Sequence, residues 1–143
     1  MAHINRQAIV KFSDKQMYAL VNDVAAYPDY LPGCERVEIF ESSDVEMLAR
    51  LHLSKKGIQM AFTTRNQLDA PKSIVLHLED GPFVQFEGRW FFQHLNDNAC
   101  KVILDLQFQL ANKITGLAVG KLFDSVANNL VDAMVTRAKN VYE

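Results

Sequence analysis

Residues 112–142, the last part of the chain, have the apolar periodicity of one long helix. Apolar or small side chains recur every four positions in two adjacent rows, which are Ile114, Ala118, Leu122, Val126, Leu130, Met134 and Ala138 and, beside them, Val119, Phe123, Ala127, Val131 and Val135. Two such rows make a broad apolar face, which has to pack against a large apolar surface. Asn112 is the predicted N-cap, because its side chain can accept from the free N–H groups of the first turn. The preceding residues must therefore supply the surface on which this helix lies.

Gly116 and Gly120 lie in the first turns of this predicted helix. Glycine inside a helix costs about 1 kcal/mol relative to alanine. Two interpretations account for them: a close contact between the helix and a sheet, or a thin wall beside a bound ligand.

The residues before the helix are predicted to form strands. A period of two runs through residues 3–12, 36–42, 45–54, 58–68, 73–79, 84–94 and 101–110, as expected for strands with one buried face. The links from the second strand onward are short and polar, so they join antiparallel neighbours. Between the first two strands, Ser13 and Gln16 form a capping box that opens a short helix, and Pro28 and Pro32 predict a kink and a second helical turn.

This order of elements predicts an α+β fold. A curved, antiparallel, seven-stranded sheet wraps around the long C-terminal helix, and the two short helices close one end. With 143 residues, the chain is expected to form a single domain over residues 1–143.

The inward-facing positions of the strands are mostly apolar. They are Met47, Ala49, Leu51, Leu53, Ile58, Met60, Phe62, Ile74, Leu76, Leu78, Phe86, Trp90, Phe92, Val102, Leu104, Leu106, Phe108 and Leu110. Such a set describes either a filled core or the wall of a cavity for an apolar ligand. Arg6, Thr64, Asn66 and His94 share this parity, and buried polar groups need partners. They either satisfy one another or hold the head of an amphipathic ligand, unless a bulge turns them outward.

The net charge and the cysteine content limit the functions that the sequence allows. The net charge of −2 argues against general binding to DNA, so a nucleic-acid contact would need a local basic patch. Cys34 and Cys100 form no CxxC pair, and with the four histidines they show no metal-ligand spacing. The first residues resemble no apolar signal segment, and no apolar run reaches the ~20 residues of a membrane span. These features predict free thiols and a cytoplasmic location.

Five stretches of the chain resemble the bacterial RatA-type proteins, the ribosome association toxin family related to coenzyme Q-binding proteins. The stretches are NDVAAYPDYLPGC at 22–34, FTTRNQL at 62–68, DGPF at 80–83, GRWFF at 88–92 and RAKNVY at 137–142. The resemblance covers nearly the whole chain and implies a START-like (Bet v 1-like) helix-grip fold. It also implies binding to the large ribosomal subunit, so that the subunits fail to join, and binding of ubiquinone or a similar polyprenyl lipid. No cofactor is required, a small antitoxin-like protein is a further expected partner, and lipid exchange would bring the protein to a membrane surface.

The predicted ligand cavity combines the inward positions with the Pro-bracketed segment at residues 27–33, which is either a lid or a capping loop. Its candidate residues are Arg6, Tyr27, Tyr30, Leu31, Met60, Phe62, Thr64, Asn66, Trp90, Phe92, His94, Gly116, Gly120 and Phe123.

The candidate ribosome or RNA contact consists of Arg50, Lys55, Lys56 and Arg65, because cationic side chains are needed to meet phosphates. A Lys-Lys-Gly turn is also common as a plain solvated turn.

Two alternatives to the ribosomal role remain. One is a ubiquinone or polyprenyl lipid-binding protein that supports respiration without contacting the ribosome. The other is a cyclase-like enzyme, for which His94 with Arg6 or Asn66 would be the only inward acid–base group. The chain has no nucleophile elbow, no phosphate-binding glycine loop and no zinc motif, so we expect a non-enzymatic protein without catalytic or metal-binding residues.

Overall fold

The computed structural model describes residues 2–111 and 116–143. In this part of the chain the elements are β1 (Ala2–Val10), α1 (Asp14–Asn22), a 3₁₀ turn (Val24–Ala26), α2 (Tyr27–Tyr30), β2 (Cys34–Ser42), β3 (Glu46–Lys55), β4 (Ile58–Asp69), β5 (Ser73–Asp80), β6 (Phe83–Asn96), β7 (Ala99–Leu110) and α3 (Gly116–Tyr142). The α+β prediction is confirmed, with strand ends that differ from the predicted ones by a few residues. The predicted N-cap Asn112 and the apolar Ile114 lie outside the described residues.

The seven strands form one antiparallel sheet in the order β1-β7-β6-β5-β4-β3-β2. From β2 to β7 each strand pairs with the next one along the chain, as the short links require. β1 pairs with β7, from Ala2 opposite Phe108 to Val10 opposite Cys100. The sheet therefore has β1 at one edge and β2 at the other.

The short helices begin where the sequence predicts. The Ser13 hydroxyl accepts from the backbone N–H of Gln16 at 3.1 Å, and the Gln16 side chain accepts from the backbone N–H of Ser13 at 2.9 Å. This confirms the capping box, which satisfies two N–H groups that the first helical turn leaves free. α2 is a single turn with Pro28 near its start, where proline loses no hydrogen bond.

The core lies between α3 and the inner face of the sheet. Seven α3 side chains on the predicted apolar rows are at most 7% exposed, namely Leu122, Phe123, Val126, Ala127, Val131, Met134 and Ala138. Large apolar side chains contribute about 1.5–3 kcal/mol each when fully buried. Around Phe123, edge-on ring contacts connect Phe62, Phe83, Phe86 and Phe108. These phenylalanines fill the space under the N-terminal half of α3.

The C-terminal end of α3 is held against α1. The hydroxyl of Tyr142 donates to the backbone oxygen of Gln16 at 2.9 Å, and its ring centroid lies 5.8 Å from that of Phe12. The long helix is thus attached at its far end, while its middle covers the sheet.

Candidate functional site

A cavity of about 80 Å³ lies between α3 and the inner face of the sheet. Its wall is formed by Val24, Tyr27 and Leu31 from the segment after α1, by Leu51, Leu53, Phe62, Thr64 and Asn66 from β3 and β4, by Leu76, Phe86, Trp90, Leu104 and Leu106 from β5 to β7, and by Phe123, Val126, Ala127 and Leu130 from α3. Among the described residues no charged side chain lines it. Its volume is large enough for several water molecules, but it is smaller than the ~300–1,000 Å³ of most small-molecule pockets.

Two polar side chains of β4 interrupt this apolar wall. Thr64 is 4% exposed and Asn66 is 5% exposed, and they lie on the same face as Phe62 because side chains alternate along a strand. The Thr64 hydroxyl donates to Oδ1 of Asn66 at 2.7 Å. This bond uses the amide oxygen and leaves the two N–H groups of Asn66 without an acceptor among the described residues.

The segment after α1 closes the cavity on the α2 side. Tyr27 is 5% exposed, and its hydroxyl donates to the backbone oxygen of Val21. Burial raises the pKa of Tyr27 well above its ordinary value, so the phenol stays neutral. Leu31, at the end of this segment, is also buried. Both residues line the cavity as predicted.

Tyr30 lies beside the cavity wall rather than on it. Its hydroxyl donates to the sulfur of Met134 at 3.0 Å, and the Arg137 guanidinium lies 4.9 Å above its ring. Burial raises the pKa of Tyr30. Tyr30 faces a surface groove between α2 and α3, so it attaches the closing segment to the helix from outside.

Half of the predicted cavity residues come together at the cavity. Tyr27, Leu31, Phe62, Thr64, Asn66, Trp90 and Phe123 line it, whereas Met60 and Phe92 are buried in the surrounding core.

The structure corrects the prediction for Arg6 and His94, because both side chains are exposed and neither lines the cavity. Arg6 donates to Oδ1 of Asn128 on α3 at 3.1 Å, and Nδ1 of His94 lies 3.4 Å from a carboxylate oxygen of Asp14. Arg6 lies on the edge strand β1 and His94 lies near the end of β6, and at both positions the side chain is open to solvent. His94 is therefore separated from the buried Asn66, and the two do not form an acid–base pair.

The two glycines of α3 differ in where they lie along the helix. A Cβ atom built on Gly120 would lie 2.7 Å from a methyl carbon of Leu110, which is closer than packed carbon atoms allow. Gly120 therefore permits a close contact between helix and sheet, the first of the two interpretations. Gly116 is the first residue of α3.

Ten residues that line the cavity were not among the predicted site residues. Leu51, Leu53, Leu76, Phe86, Leu104 and Leu106 were predicted to face inward, and Val126, Ala127 and Leu130 lie on the predicted helix rows. Val24 continues the apolar side of the first predicted short helix. On α1, Oη of Tyr18 and Oδ1 of Asn22 are enclosed one turn apart and have no hydrogen-bond partner among the described residues. Sequence periodicity does not reveal such unsatisfied atoms.

The four residues of the candidate ribosome contact form two pairs, arginines whose charges are paired and lysines in an exposed turn. Arg65 contacts three carboxylates, those of Glu79 at 2.8 Å, Glu41 at 3.1 Å and Glu46 at 3.2 Å, and these hydrogen bonds raise its pKa. Arg50 contacts Asp80 at 3.1 Å. Both arginines point outward as predicted, but their charges are already paired. They are therefore removed from the candidate phosphate contact.

Lys55 and Lys56 are exposed in the turn between β3 and β4, and within the described residues neither forms a salt bridge. The backbone φ of Lys56 is +52° and that of Gly57 is +81°, a left-handed conformation that costs a non-glycine residue roughly 1–2 kcal/mol. We call this turn, residues 55–57, the lysine turn. It presents two unpaired positive charges at one end of the sheet.

Comparison with known proteins identifies the family of the chain. The family model for polyketide cyclases, dehydrases and lipid transport proteins matches residues 10–135. The ribosome association toxin RatA of Vibrio cholerae is 47% identical over 142 residues, which cover 99% of this chain and 99% of that protein. RatA of Escherichia coli K12 is 46% identical, with 99% of this chain and 90% of that protein covered. The chain belongs to the RatA family. This confirms the resemblance found in its sequence.

Solved structures similar to this RatA-type chain have START-like folds. The Zhui aromatase/cyclase from Streptomyces sp. R1128 superposes with a TM-score of 0.80 at 23% identity, covering 99% of this chain and 96% of that one. A START superfamily protein from Mycobacterium smegmatis gives 0.79 at 22% identity, covering 97% and 98%. At these identities the likeness concerns the fold alone. More distantly, a mitochondrial coenzyme Q-binding protein of Drosophila melanogaster is 20% identical over 94% of this chain and 57% of its own length.

Two further observations on the RatA-type chain concern membrane-spanning helices and metal sites. In residues 2–111 and 116–143, no helix is both long and apolar enough to cross a membrane. The same residues bring no three His, Cys, Asp or Glu side chains together as a metal site.

Proposed function

We propose that this protein associates with the large ribosomal subunit through the lysine turn and thereby hinders joining of the subunits. Full-length relatives that are named for ribosome association support this proposal. The observation that carries it is that Lys55 and Lys56 form no salt bridge with any described residue, whereas Arg50 and Arg65 are paired. Phosphate contacts require cations that are free to replace the counterions of RNA.

The backbone of the lysine turn adds a second argument. Glycine or asparagine would relieve the left-handed conformation at position 56, yet the position holds lysine. Unfavourable backbone conformations are often retained where the side chain has a task. A positive charge in an exposed turn at one end of the sheet is such a task.

The test is co-sedimentation of the purified protein with isolated large subunits over a range of salt concentrations. The double variant Lys55→Glu/Lys56→Glu should bind weakly, and its binding should depend less on salt because two phosphate contacts are lost. The matched control is Lys15→Glu/Lys72→Glu, which makes the same change in net charge at exposed lysines on α1 and the β4–β5 turn. Equal loss in both double variants would mean that total charge, and not the lysine turn, governs binding. Unchanged binding of the first variant would remove the turn from the interface.

A second function is favoured by the cavity: binding of ubiquinone or a similar polyprenyl lipid. Its apolar wall and the adaptable side chains around it suit the ring and the first isoprenoid units of such a lipid. At about 80 Å³ the space accepts only part of one, so binding would require α3 and the segment from Val24 to Leu31 to separate. Native mass spectrometry of freshly purified protein, followed by organic extraction, tests this. A bound isoprenoid mass is expected; consistently ligand-free protein that takes up no added quinone would contradict the proposal.

The combination of the two tests also separates the alternatives. A protein that binds quinone but does not sediment with ribosomal subunits would be a lipid-binding protein without a ribosomal role. We propose no catalytic function, because none of the polar side chains of the cavity wall, which belong to Tyr27, Thr64, Asn66 and Trp90, gains or loses a proton near neutral pH. The aromatase/cyclase neighbour shares the fold, and a fold by itself does not define an activity.

A further inference from the structure

The outer face of the sheet, which points away from α3, carries a row of apolar side chains that we call the apolar stripe. Its members are Ile9 on β1, Ile103 on β7, Phe91 on β6 and Val75 on β5. Ile9 is 73% exposed and Phe91 is 40% exposed, and the other two are half-buried. An antiparallel sheet with one face in water normally has polar side chains on that face. Apolar side chains that lie together on a surface often mark a binding site.

The strand register makes the apolar stripe continuous. Phe91 lies directly opposite Ile103. Ile9 is the diagonal neighbour of Ile103, offset by two residues from the position directly opposite, and Val75 is offset from Phe91 in the same way. Diagonal neighbours are about 7–8 Å apart, which is within the reach of long side chains. Three steps of about 4.8 Å between strands and four residues of about 3.3 Å along them make the stripe roughly 20 Å long.

The two ends of the apolar stripe are flanked by cations. Lys101 lies directly opposite one end residue and Arg89 directly opposite the other. Asp105 is the register partner of Arg89 on β7, but its carboxylate contacts Nε2 of His3 at 2.5 Å, and Glu87 lies two residues further along β6, beyond the end of the stripe. Neither Lys101 nor Arg89 forms a salt bridge with any described residue. The surface therefore combines apolar contact area with two positive charges that lack a counter-charge.

The partner that suits this surface is a helix. The four strands under the apolar stripe are paired with one another, so a segment lying on their face cannot form backbone hydrogen bonds with them. A helix satisfies its own backbone groups, and a length of roughly 20 Å corresponds to about 13 helical residues. Apolar side chains at every third or fourth position of such a helix would lie on the stripe. A depression of about 390 Å³ adjoins the stripe at Val75 and Arg89 and can receive a longer side chain.

We propose that the outer face of β1, β7, β6 and β5 binds an acidic amphipathic helix of a partner protein. The apolar side of the helix lies on the apolar stripe, and carboxylates beside it meet Lys101 and Arg89. This surface is on the opposite face of the sheet from the cavity, and the lysine turn joins β3 to β4, which carry no part of the stripe. The proposal is therefore independent of ribosome binding and of lipid binding.

The experiment measures the binding of three fluorescein-labelled helical peptides to the full-length protein by fluorescence anisotropy. Each has about 14 residues and a side-chain staple, because short helices are marginally stable in water. The first has leucine along one side and glutamate beside it, the second has lysine in place of every glutamate, and the third has the composition of the first in an order that distributes leucine around the helix. The first peptide is expected to bind about tenfold more tightly than either of the others.

The contribution of the apolar stripe is tested with Ile9→Thr/Phe91→Thr. This variant removes the two most exposed apolar side chains of the stripe and keeps residues that favour strands. It should weaken binding of the acidic peptide about tenfold. The matched control is Ile39→Thr/Phe40→Thr on β2, which removes the same two residue types where they are 43% and 53% exposed outside the stripe. The control should leave the affinity unchanged.

The contribution of the cations is tested with Lys101→Gln/Arg89→Gln. This variant should weaken binding about threefold to tenfold and make it less dependent on salt concentration. The matched control is Lys56→Gln/Arg36→Gln, which makes the same change in net charge on other strands and turns and should have no effect. Because only surface charges change, this pair keeps the proposal testable if the threonine variant folds poorly by circular dichroism.

Three results would overturn the proposal. The first is no binding of the acidic peptide at about 1 mM, and the second is equal binding of the acidic and the lysine-containing peptides. The third is an equal loss of affinity in a variant and its matched control, since the peptide would then recognise no particular surface. Vesicles of phosphatidylglycerol are the last probe. If Ile9→Thr/Phe91→Thr abolishes binding to vesicles while the acidic peptide does not bind, the stripe contacts a membrane surface and the proposed protein partner is wrong.

Discussion

Gly33 lies where the chain leaves α2 and passes beneath α3, and its replacement by alanine tests how this closing segment is held. The backbone φ of Gly33 is +90°, and a Cβ atom at this position would lie 2.7 Å from Cγ2 of Val126. The left-handed conformation costs a non-glycine residue roughly 1–2 kcal/mol, and an added carbon in a packed site costs roughly 1–3 kcal/mol. We therefore expect Gly33→Ala to lower the free energy of unfolding by about 2–5 kcal/mol.

The measurement is urea unfolding followed by far-UV circular dichroism and by Trp90 fluorescence. Gly57→Ala is the matched control, because Gly57 also has a left-handed backbone, with φ of +81°, but has nothing within 4 Å of an added Cβ. It should lose only the conformational part, about 1–2 kcal/mol. The difference between the two variants measures the contact with Val126. Equal losses would refute the reasoning, because they would mean that this contact has no cost.

A double variant provides a second check. Val126→Ala removes the methyl group that the new Cβ would meet, so the loss in Gly33→Ala/Val126→Ala should be smaller than the sum of the two single losses, by about 1–3 kcal/mol. Strict additivity would contradict the proposed clash. Since Val126 also lines the cavity, the same result would establish that this cavity wall is shaped by the loop after α2.

Three further predictions concern single side chains. Lys56→Gly should raise the free energy of unfolding by about 1 kcal/mol in urea titrations, because it relieves the left-handed conformation at φ of +52°. Cys34 and Cys100 should react with Ellman's reagent at about pH 8 only after unfolding, because burial raises the pKa of each thiol to about 11 and keeps the reactive thiolate rare; fast reaction of native protein would contradict this. The pKa of Glu38 is lowered by its hydrogen bond with His52, so its stabilising effect is present above the unfolded-state pKa of about 4.3 and is lost as the pH falls through the folded-state value. Wild type should therefore exceed Glu38→Gln in stability near neutral pH and equal it in acid.

The sequence predicts the fold well because two periodicities dominate it. A period of two identifies the strands, and the rows repeating every four residues identify α3, since each element has to bury one face. The same reasoning places Phe62, Thr64 and Asn66 on one inner face, because β4 lies well inside the sheet and is covered by α3. It fails for Arg6 and His94, because parity states the side of the sheet but not whether a helix covers that point.

The paired arginines illustrate a second limit. Parity correctly predicts that Arg65 and Arg50 point outward, yet their partners come from other strands. Glu41, Glu46 and Glu79 meet Arg65 from β2, β3 and β5. These contacts depend on the exact pairing of the strands, and β2 carries an irregularity between Ile39 and Glu41. Because a shift of one residue turns each side chain to the other face, ion pairs across three strand boundaries are beyond what a single sequence determines.

Gly88 allows two leucine side chains of the cavity wall to pack closely over β6, which the sequence alone does not reveal. Gly88 lies on the inner face of β6, and a Cβ atom there would be only 3.0 Å from Leu76 Cδ1 and 3.1 Å from Leu106 Cδ1. Both leucines line the cavity, so their methyl groups converge over the glycine and set the floor at this point. Leucine side chains change rotamer at far lower cost than a strand changes register. A bound lipid would therefore gain room first through these two leucines and through the separation of α3 from the closing segment, while the seven-stranded sheet keeps its pairing.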